Sequence, residues 1–516
     1  MKRRFFAIAL TAALAMAAAA PLTAGAELEK ISDGTVTLSV FYPFHNDAIV
    51  SLADNQTVQK LEEMTGVRIE WLHPARGQEQ EQFNLMMASN TLPDIINPGG
   101  EGNQFYPGGA AKAVEDGVFL RLNELLDQYS QYYWPMVSAD PDFRRDAVMD
   151  DGTAYGFAML EKEAQGTYSG LGVRQDWLDE LGLEQPTTID ELEIVLTAFK
   201  ERKGAETPFL LPSKGYDEET MMLMASFDTT HAFYQVDGQA RWGAWEDNFK
   251  LYLEKMNDWY NKGLIPSDFS TMDDSQRNAA KSTGKAGLYK IGFWELESAR
   301  KNSVDPDNFR VVALKTPYYL DEGEPSLRFT NSKVRGFFTS ITGSCENPEA
   351  AVKWMDAWYS PEMTELCNWG FEGLTYYVGE DGLKHLSDLV ISNPNGYSLT
   401  TVMGQYFMQS GTFVRDLSRE WDIYTDDENA ATGIWSSTPA DWFISEALLS
   451  PTSEEGDELA TLMSDINTLR DERVINWIMG VEPLDTFEQY QETARSMGIE
   501  RAIEIKQQVL DRYNSR

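Results

Sequence analysis

Residues 81–96 read EQFNLMMASNTLPDII, and the way this stretch breaks decides the fold. A helical run stops at Ser89-Asn90, Pro93-Asp94 turns the chain, and Ile95-Ile96 begins a short apolar strand. The loop that follows, NPGGEGNQF, is rich in Gly, Asn and Pro and holds no residue with the look of a nucleophile. Upstream, VTLSVFY (36–42) places Val36, Leu38 and Val40 at alternate positions, the period of a strand. A helix is expected over 48–64, stopped by Gly66, then a strand VRIEWL (67–72), then the helix of the opening stretch from residue 78. This β-α-β-α-β order implies a parallel sheet with right-handed crossovers. Ligands of such sheets bind outside the carboxyl ends of the strands. The loops 43–47, 73–77 and 97–104 therefore share one rim, and the polar loop after Ile96 becomes a wall of a binding cleft.

Near residue 170 the pattern restarts. GLGVRQDWLDELGL reads as a short strand and then a helical turn closed by Gly182. In PTTIDELEIVLTAFK, Thr188 with Glu191 three residues later is a capping box, and Ile189, Leu192, Leu196 and Phe199 fall on one helical face. A helix over 245–262 follows, then KAGLYKIGFW (285–294), a strand ending in aromatics, then VVALKTPYY and VRGFFTSI. SCENPEAAVKWMDAWYS starts a helix with Asn347 as cap and Pro348 in the first turn, turning Val352, Met355 and Tyr359 inward. The last hundred residues are mostly helical. No repeat of fixed period and no low-complexity linker is visible, so the chain is expected to pass between domains more than once.

At 516 residues the chain exceeds one core, and 42% hydrophobic residues suffice to fill two or three. Lys2, Arg3 and Arg4, the apolar run behind them and Ala24-Gly25-Ala26 read as an export signal over residues 1–26 with an A-x-A cleavage site. Without it the protein is three charges more negative than the −39 of the whole sequence. Such a field repels nucleic acid and anionic lipid surfaces, which excludes both as partners. Cys345 and Cys367 flank one expected helix, and export permits a disulfide between them, closing a loop for roughly 3 kcal/mol, or leaves two buried thiols.

Catalytic motifs fail one by one. GTYSG (166–170) lacks the spacing of a nucleophile elbow, and Ser282-Thr283-Gly284-Lys285 matches S-x-x-K without its companions. P-loop, dinucleotide fingerprint and H-E-x-x-H are all missing. DPDN (305–308) and TDDEN (425–429) gather oxygen ligands without completing a calcium loop, and His45, His73, His231 and His385 are too scattered for zinc. A glycan-active hydrolase or lyase, which needs only two carboxylates, stays as a rival reading. Aromatic surface remains: Trp294, Trp369, Trp421 and Trp435 sit beside Gly or polar neighbours, whereas Trp177, Trp259, Trp354 and Trp358 fall in helices and read as core. Sugar rings stack their apolar faces on Trp while their hydroxyls take side-chain donors and acceptors.

Together EQFNLMMASNTLPDII, VRQDWLDELGLEQPTTIDELEIVLTAFK, NPEAAVKWMDAWYS, NWGFEGLTYY and WIMGVEPLDTFEQYQETARSMGI resemble family 1 extracellular solute-binding proteins of ABC importers. The likeness is to their long branch, with alginate-oligosaccharide-binding proteins and sugar-binding lipoproteins. It implies an α/β, periplasmic-binding-protein-like fold of type II, with hinge-linked lobes and the ligand cleft between them. Residues 27–160 and 333–372 are assigned to the N-terminal lobe, 161–332 and 373–516 to the C-terminal lobe. The resemblance further implies no catalytic residue, no cofactor, a monomer, an oligosaccharide ligand and the permease subunits of an ABC importer as partners. The acidic balance favours a neutral sugar. Carried onto this sequence, the expected contacts are Phe44, His45 and Asp47; Asn97, Gly99, Gly100 and Glu101; Arg174; Trp294 and Glu295; Arg335; Trp369; and Trp435. Alginate-type relatives carry a calcium loop after the helix equivalent to 189–200; KERKGAETPF lacks its oxygen ligands, so no metal is expected. Leu22-Thr23-Ala24-Gly25 stands where lipoprotein relatives have L-x-x-Cys, which implies an extracytoplasmic protein without a lipid anchor. A solute sensor uncoupled from transport is the second rival.

Overall fold

The computed structural model describes residues 28–98, 106–163, 165–219, 221–319 and 324–516; residues 1–26, read above as an export signal, and Gly99, Gly100 and Glu101 lie outside the described residues. In chain order the described strands are β1 (Thr37–Phe41), β2 (Arg68–Leu72), β3 (Ile95–Ile96), β4 (Phe157–Glu161), β5 (Ser169–Arg174), β6 (Thr207–Phe209) and β7 (Phe233–Val236). They continue with β8 (Gln239–Trp242), β9 (Ala286–Gly292), β10 (Val311–Ala313), β11 (Val334–Ile341), β12 (Tyr376–Val378), β13 (Lys384–Leu386) and β14 (Val414–Arg415).

The helix Glu79–Ser89 stops where its sequence says it must: Asn90 turns left-handed at φ 54°. Asp94 then accepts from the Ser39 backbone N–H at 2.8 Å and its hydroxyl at 2.7 Å, which seats β3 beside β1. β1 pairs in parallel with both β2 and β3, and the full first sheet runs β14-β4-β11-β3-β1-β2. β11 is antiparallel to β3 and β4. The second sheet runs β10-β5-β9-β6, with β5 antiparallel to both neighbours.

Each sheet has its own core. Leu38, Val58, Phe157, Ile341 and Val352 anchor the first, and Leu171, Leu196, Trp259, Leu288 and Trp477 the second. The expected stripe Ile189, Leu192, Leu196 and Phe199 is buried in the second core, under a capping box that Thr188 and Glu191 form as read. Trp177, Trp259, Trp354 and Trp358 are buried as well.

Three expectations need correction, and the alternative left open for the two cysteines is resolved. The helix expected over 48–64 is Gln56–Thr65, because Asn55 accepts from the Val58 N–H as its cap; Leu52–Asp54 before it is a separate 3-10 turn capped by Ser51. The strand KAGLYKIGFW ends at Gly292, and Phe293–Glu295 is a 3-10 turn that lifts Trp294 off the strand. Met408, Phe413 and Val414, given above to the C-terminal lobe, pack in the first core, because β14 pairs with β4. Cys345 and Cys367 are free thiols. The first has Asp94 as a neighbour and the second Arg419, and burial pushes the Cys345 thiol up to about 12.

The last helix, Ile499–Asn514, buries Ile499 and Ala502 in the second core, yet its far end reaches the first body. There Arg512 donates to Asp150 at 2.7 Å, Tyr513 to Asp146 at 2.6 Å, and Arg516 to Asp150 and to the Val148 carbonyl.

Candidate functional site

The carboxyl ends of β1, β2, β3, β4 and β14 and the start of β11 all lie along one edge of the first sheet. Three stretches leave that edge for the second body: after β4, ahead of β11, and after β14. The facing edge of the second sheet carries Tyr168 before β5 and Trp294 after β9, since Ser169 pairs with Gly292. The two rims and the crossings between them bound the candidate site.

On the first rim Asn46 is a strut. Its side chain donates to the Thr401 carbonyl at 3.0 Å and accepts from the Ala48 N–H at 2.8 Å. That fixes the loop so that His45 and Asp47 are exposed and Phe44 is half-buried against His73, ring centroids 5.4 Å apart. His73 Nδ1–H donates to the Tyr42 carbonyl at 2.7 Å, and Nε2 accepts from the Leu52 N–H at 3.2 Å. Burial pushes its pKa down, in keeping with that neutral tautomer.

On the second rim Trp294 is 47% exposed. Its ring folds back over Gly292, where a Cβ would come within 2.7 Å of it, so only glycine admits the pose. Glu295 accepts from the Gly292 N–H at 2.7 Å and pins the turn. Tyr168, at a centroid distance of 6.0 Å from Trp294, donates to Glu219 at 2.6 Å; Lys290 pairs with Glu219 and, at 3.4 Å, with Asp217. Burial pushes the Glu219 carboxyl up, but its bonds from Lys290 and Tyr168 outweigh that and hold it low.

Two cavities lie against the crossings. One of about 290 Å³ is lined by Glu219, His231, Phe329, Asn331, Arg335 and Phe443 among others. The other, of about 320 Å³, is lined by Glu163, Phe293, Asp416, Trp421, Tyr424 and Asn429 among others. Trp421 is 66% exposed, held by its carbonyl accepting from Asn429 at 3.3 Å. The cations here face carboxylates: Lys162 to Asp416 at 2.6 Å, Arg335 to Glu161 at 3.7 Å, Arg415 to Glu420, and Lys290 as above.

Four residues expected at the ligand are engaged elsewhere. Trp435 is 3% exposed, donates its indole N–H to the Leu171 carbonyl at 3.0 Å and packs on Gly170. Trp369 is buried in a small cluster with Tyr376, Val402 and Phe407. Arg174 lies at the end of β5 away from the crossings, bonded to Asp176 and sandwiched between Trp177 and Phe309, each 4.2 Å from its guanidinium carbon. Asn97 is buried and donates to Thr339 Oγ1 at 2.6 Å, tying the loop root to β11. Sequence reasoning passed over Tyr168, Asp217, Glu219 and Lys290, which come from three separate segments. It noticed Trp421 as surface aromatic without placing it among the contacts. The S-x-x-K match dissolves: Ser282 donates to the Ala279 carbonyl at 3.4 Å, and Lys285 pairs with Glu206 at 2.7 Å. In TDDEN, Thr425 and Glu428 form a capping box, and Asp427 pairs with Arg310.

Residues 47–365 match the family described as Bacterial extracellular solute-binding protein. The chain is 25% identical over 488 residues, 89% of its length and 87% of the relative's, to the fructooligosaccharide ABC transporter substrate-binding protein FusA of Streptococcus pneumoniae serotype 4. Among solved structures, an HMO-binding, ABC-transporter-associated solute-binding protein from Bifidobacterium longum infantis superposes with a TM-score of 0.74 at 19% identity, covering 93% of this chain and 99% of that one. The alginate-binding protein AlgQ2, solved without calcium ion, gives 0.69 at 24% identity, over 94% of this chain and all of that one. These neighbours share the two-lobed periplasmic-binding-protein fold. With more than half of its length matched, the chain belongs to the family of bacterial extracellular solute-binding proteins.

Proposed function

We propose that this protein captures a neutral oligosaccharide between its two lobes outside the cytoplasm and delivers it, chemically unchanged, to the permease subunits of an ABC importer. The observation that carries the reading is Trp294, half-open on the second rim beside the linked Tyr168, Glu219 and Lys290. A flat apolar ring next to fixed donors and acceptors suits a pyranose or furanose unit. Phe44, His45 and Asp47 would meet the sugar from the first lobe, and Trp421 offers a further ring beside the crossings. The paired cations support neutrality, because a uronate reaching Lys162, Lys290 or Arg335 would have to break an existing ion pair to gain that partner. The name of FusA favours a sugar over a peptide. The lobes are taken to divide after β4, ahead of β11 and after β14, and the protein to act as a monomer, exported through residues 1–26.

The test is a thermal-shift screen with fructo-oligosaccharides, milk-type oligosaccharides, alginate oligosaccharides and peptides. A ligand at a hundred times its Kd adds about 2.7 kcal/mol to apparent stability. A neutral glycan is expected to raise the melting temperature and to be recovered intact by chromatography. Response to alginate fragments or peptides alone, or glycan cleavage by pure protein, would overturn the reading.

A further inference from the structure

Among the described residues the chain passes between the bodies at three places, and these leave from three adjacent strands of the first sheet, β14, β4 and β11. Glu161 is the last residue of the middle one, and its side chain is fully buried. Its carboxylate accepts from the Gln165 N–H at 3.0 Å, inside the crossing that follows β4. Arg335, at the root of the crossing that precedes β11, approaches it to 3.7 Å. Arg415, at the root of the crossing that follows β14, approaches it to 3.5 Å and also bonds Glu420 farther along. One carboxylate thus touches all three connections.

We propose that Glu161 is the positioning residue of lobe movement, the group that makes three separate crossings turn as a single pivot. A buried charge that loses one of two partners is left uncompensated, so a crossing cannot shift alone without disturbing the other two. Burial pushes the Glu161 carboxyl up, and the two guanidiniums pull against that. Arg335 also lines the 290 Å³ cavity and bonds Gln165 Oε1 at 3.1 Å, so a sugar seated there acts on the same pivot. The inference rests on the reading that the two bodies move against each other around a ligand.

The test needs no sugar. Leu85 on the first body and Ile194 on the second are exposed. Leu85→Cys and Ile194→Cys carry nitroxide labels in a chain whose partly exposed Cys345 is removed by Cys345→Ser, while Cys367 is fully buried. Pulsed electron resonance on the full chain then reads the distance between bodies. The native pivot is expected to give one narrow distribution, Glu161→Gln to broaden it, and Glu161→Asp to restore most of the sharpness. A purely structural role predicts a lower melting temperature with the distribution unchanged, and that result overturns the proposal. Should Glu161→Gln fail to fold, Arg415→Gln decides: broadening supports the pivot, an unchanged distribution refutes it. A second arm adds the oligosaccharide panel to the native pair. If no sugar moves that distance, the closure reading fails on its own terms, whatever Glu161→Gln has done in the sugar-free arm.

Discussion

The ring of Trp294 stands half in solvent, while Trp435 gives its N–H to the Leu171 carbonyl from a buried cluster with Ile291, Phe293 and Ala431. The two tryptophans should therefore fail in opposite ways. Trp294→Ala is expected to weaken sugar binding by about 1–3 kcal/mol, the size of an interface hot spot, with the melting temperature unchanged. Trp435→Ala is expected to destabilise the fold by about 3–5 kcal/mol through a cavity beneath β5. Calorimetric titration beside thermal unfolding separates the cases. His231 sets a second prediction. Burial, seconded by Arg470, holds its pKa down to about 3, with its ring stacked 4.7 Å from Tyr216. A histidine depressed on folding stabilises the native state above its unfolded value of about 6.5, and that contribution drains away as pH falls toward 3. His231→Phe keeps the stack and removes the proton. Its melting temperature should drop less between pH 7 and pH 4 than that of the native protein.

These residues also mark the limit of sequence reading. Trp294 and Trp435 both sit beside glycine or small polar neighbours, and nothing local tells a strand-end ring from one folded under a sheet. Gly170 decides for Trp435, yet the two are hundreds of positions apart in the chain and meet only because the helix Asp426–Ser436 packs on β5. For Tyr168, Glu219 and Lys290 the sequence carried no signal at all, since β5–β9 pairing brings Tyr168 near Lys290 and Glu219 joins them from the loop after β6.

At the scale of elements, local chemistry was far more informative. Gly66, Gly182 and Asn90 close their helices in left-handed conformations, and the Thr188–Glu191 box opens its helix, because these signals lie within one turn of the chain. The helix read as starting at residue 48 starts only at Gln56, because Ser51 caps a separate 3-10 turn and Asn55 behind it caps the helix. The last helix bears a prediction of its own. Arg516 is buried where it meets Asp150, so Asp150→Ala leaves a desolvated guanidinium without its carboxylate. Removing one partner of such a pair is expected to destabilise by about 3–5 kcal/mol, measured by denaturant unfolding. Asp150→Asn, which keeps an acceptor, should lose less.

For the molecule as a whole, the alternation of strands and helices over 36–96 was enough to place the parallel strands β2-β1-β3 and the edge that carries their carboxyl ends, but not the antiparallel β11 beside them. The second sheet was legible only in part: the strands near 170, 285 and 311 were read, but β6 was not, and β5 runs antiparallel to both of its neighbours. The partition between lobes was less legible: Val414-Arg415 is a two-residue strand with no periodicity to read, and it belongs to the first sheet only through its pairing with β4.

That first sheet has an awkward order of synthesis. β3 and β4 leave the ribosome early, but the strand that fits between them begins at Val334, and the one covering the outer edge of β4 arrives only at Val414. Until then the nascent chain carries open N–H and C=O groups beside apolar strands, the usual invitation to aggregation. A chaperone that shields unfinished sheets should be needed throughout that interval. A message truncated before Val334 should yield an insoluble fragment and no working half.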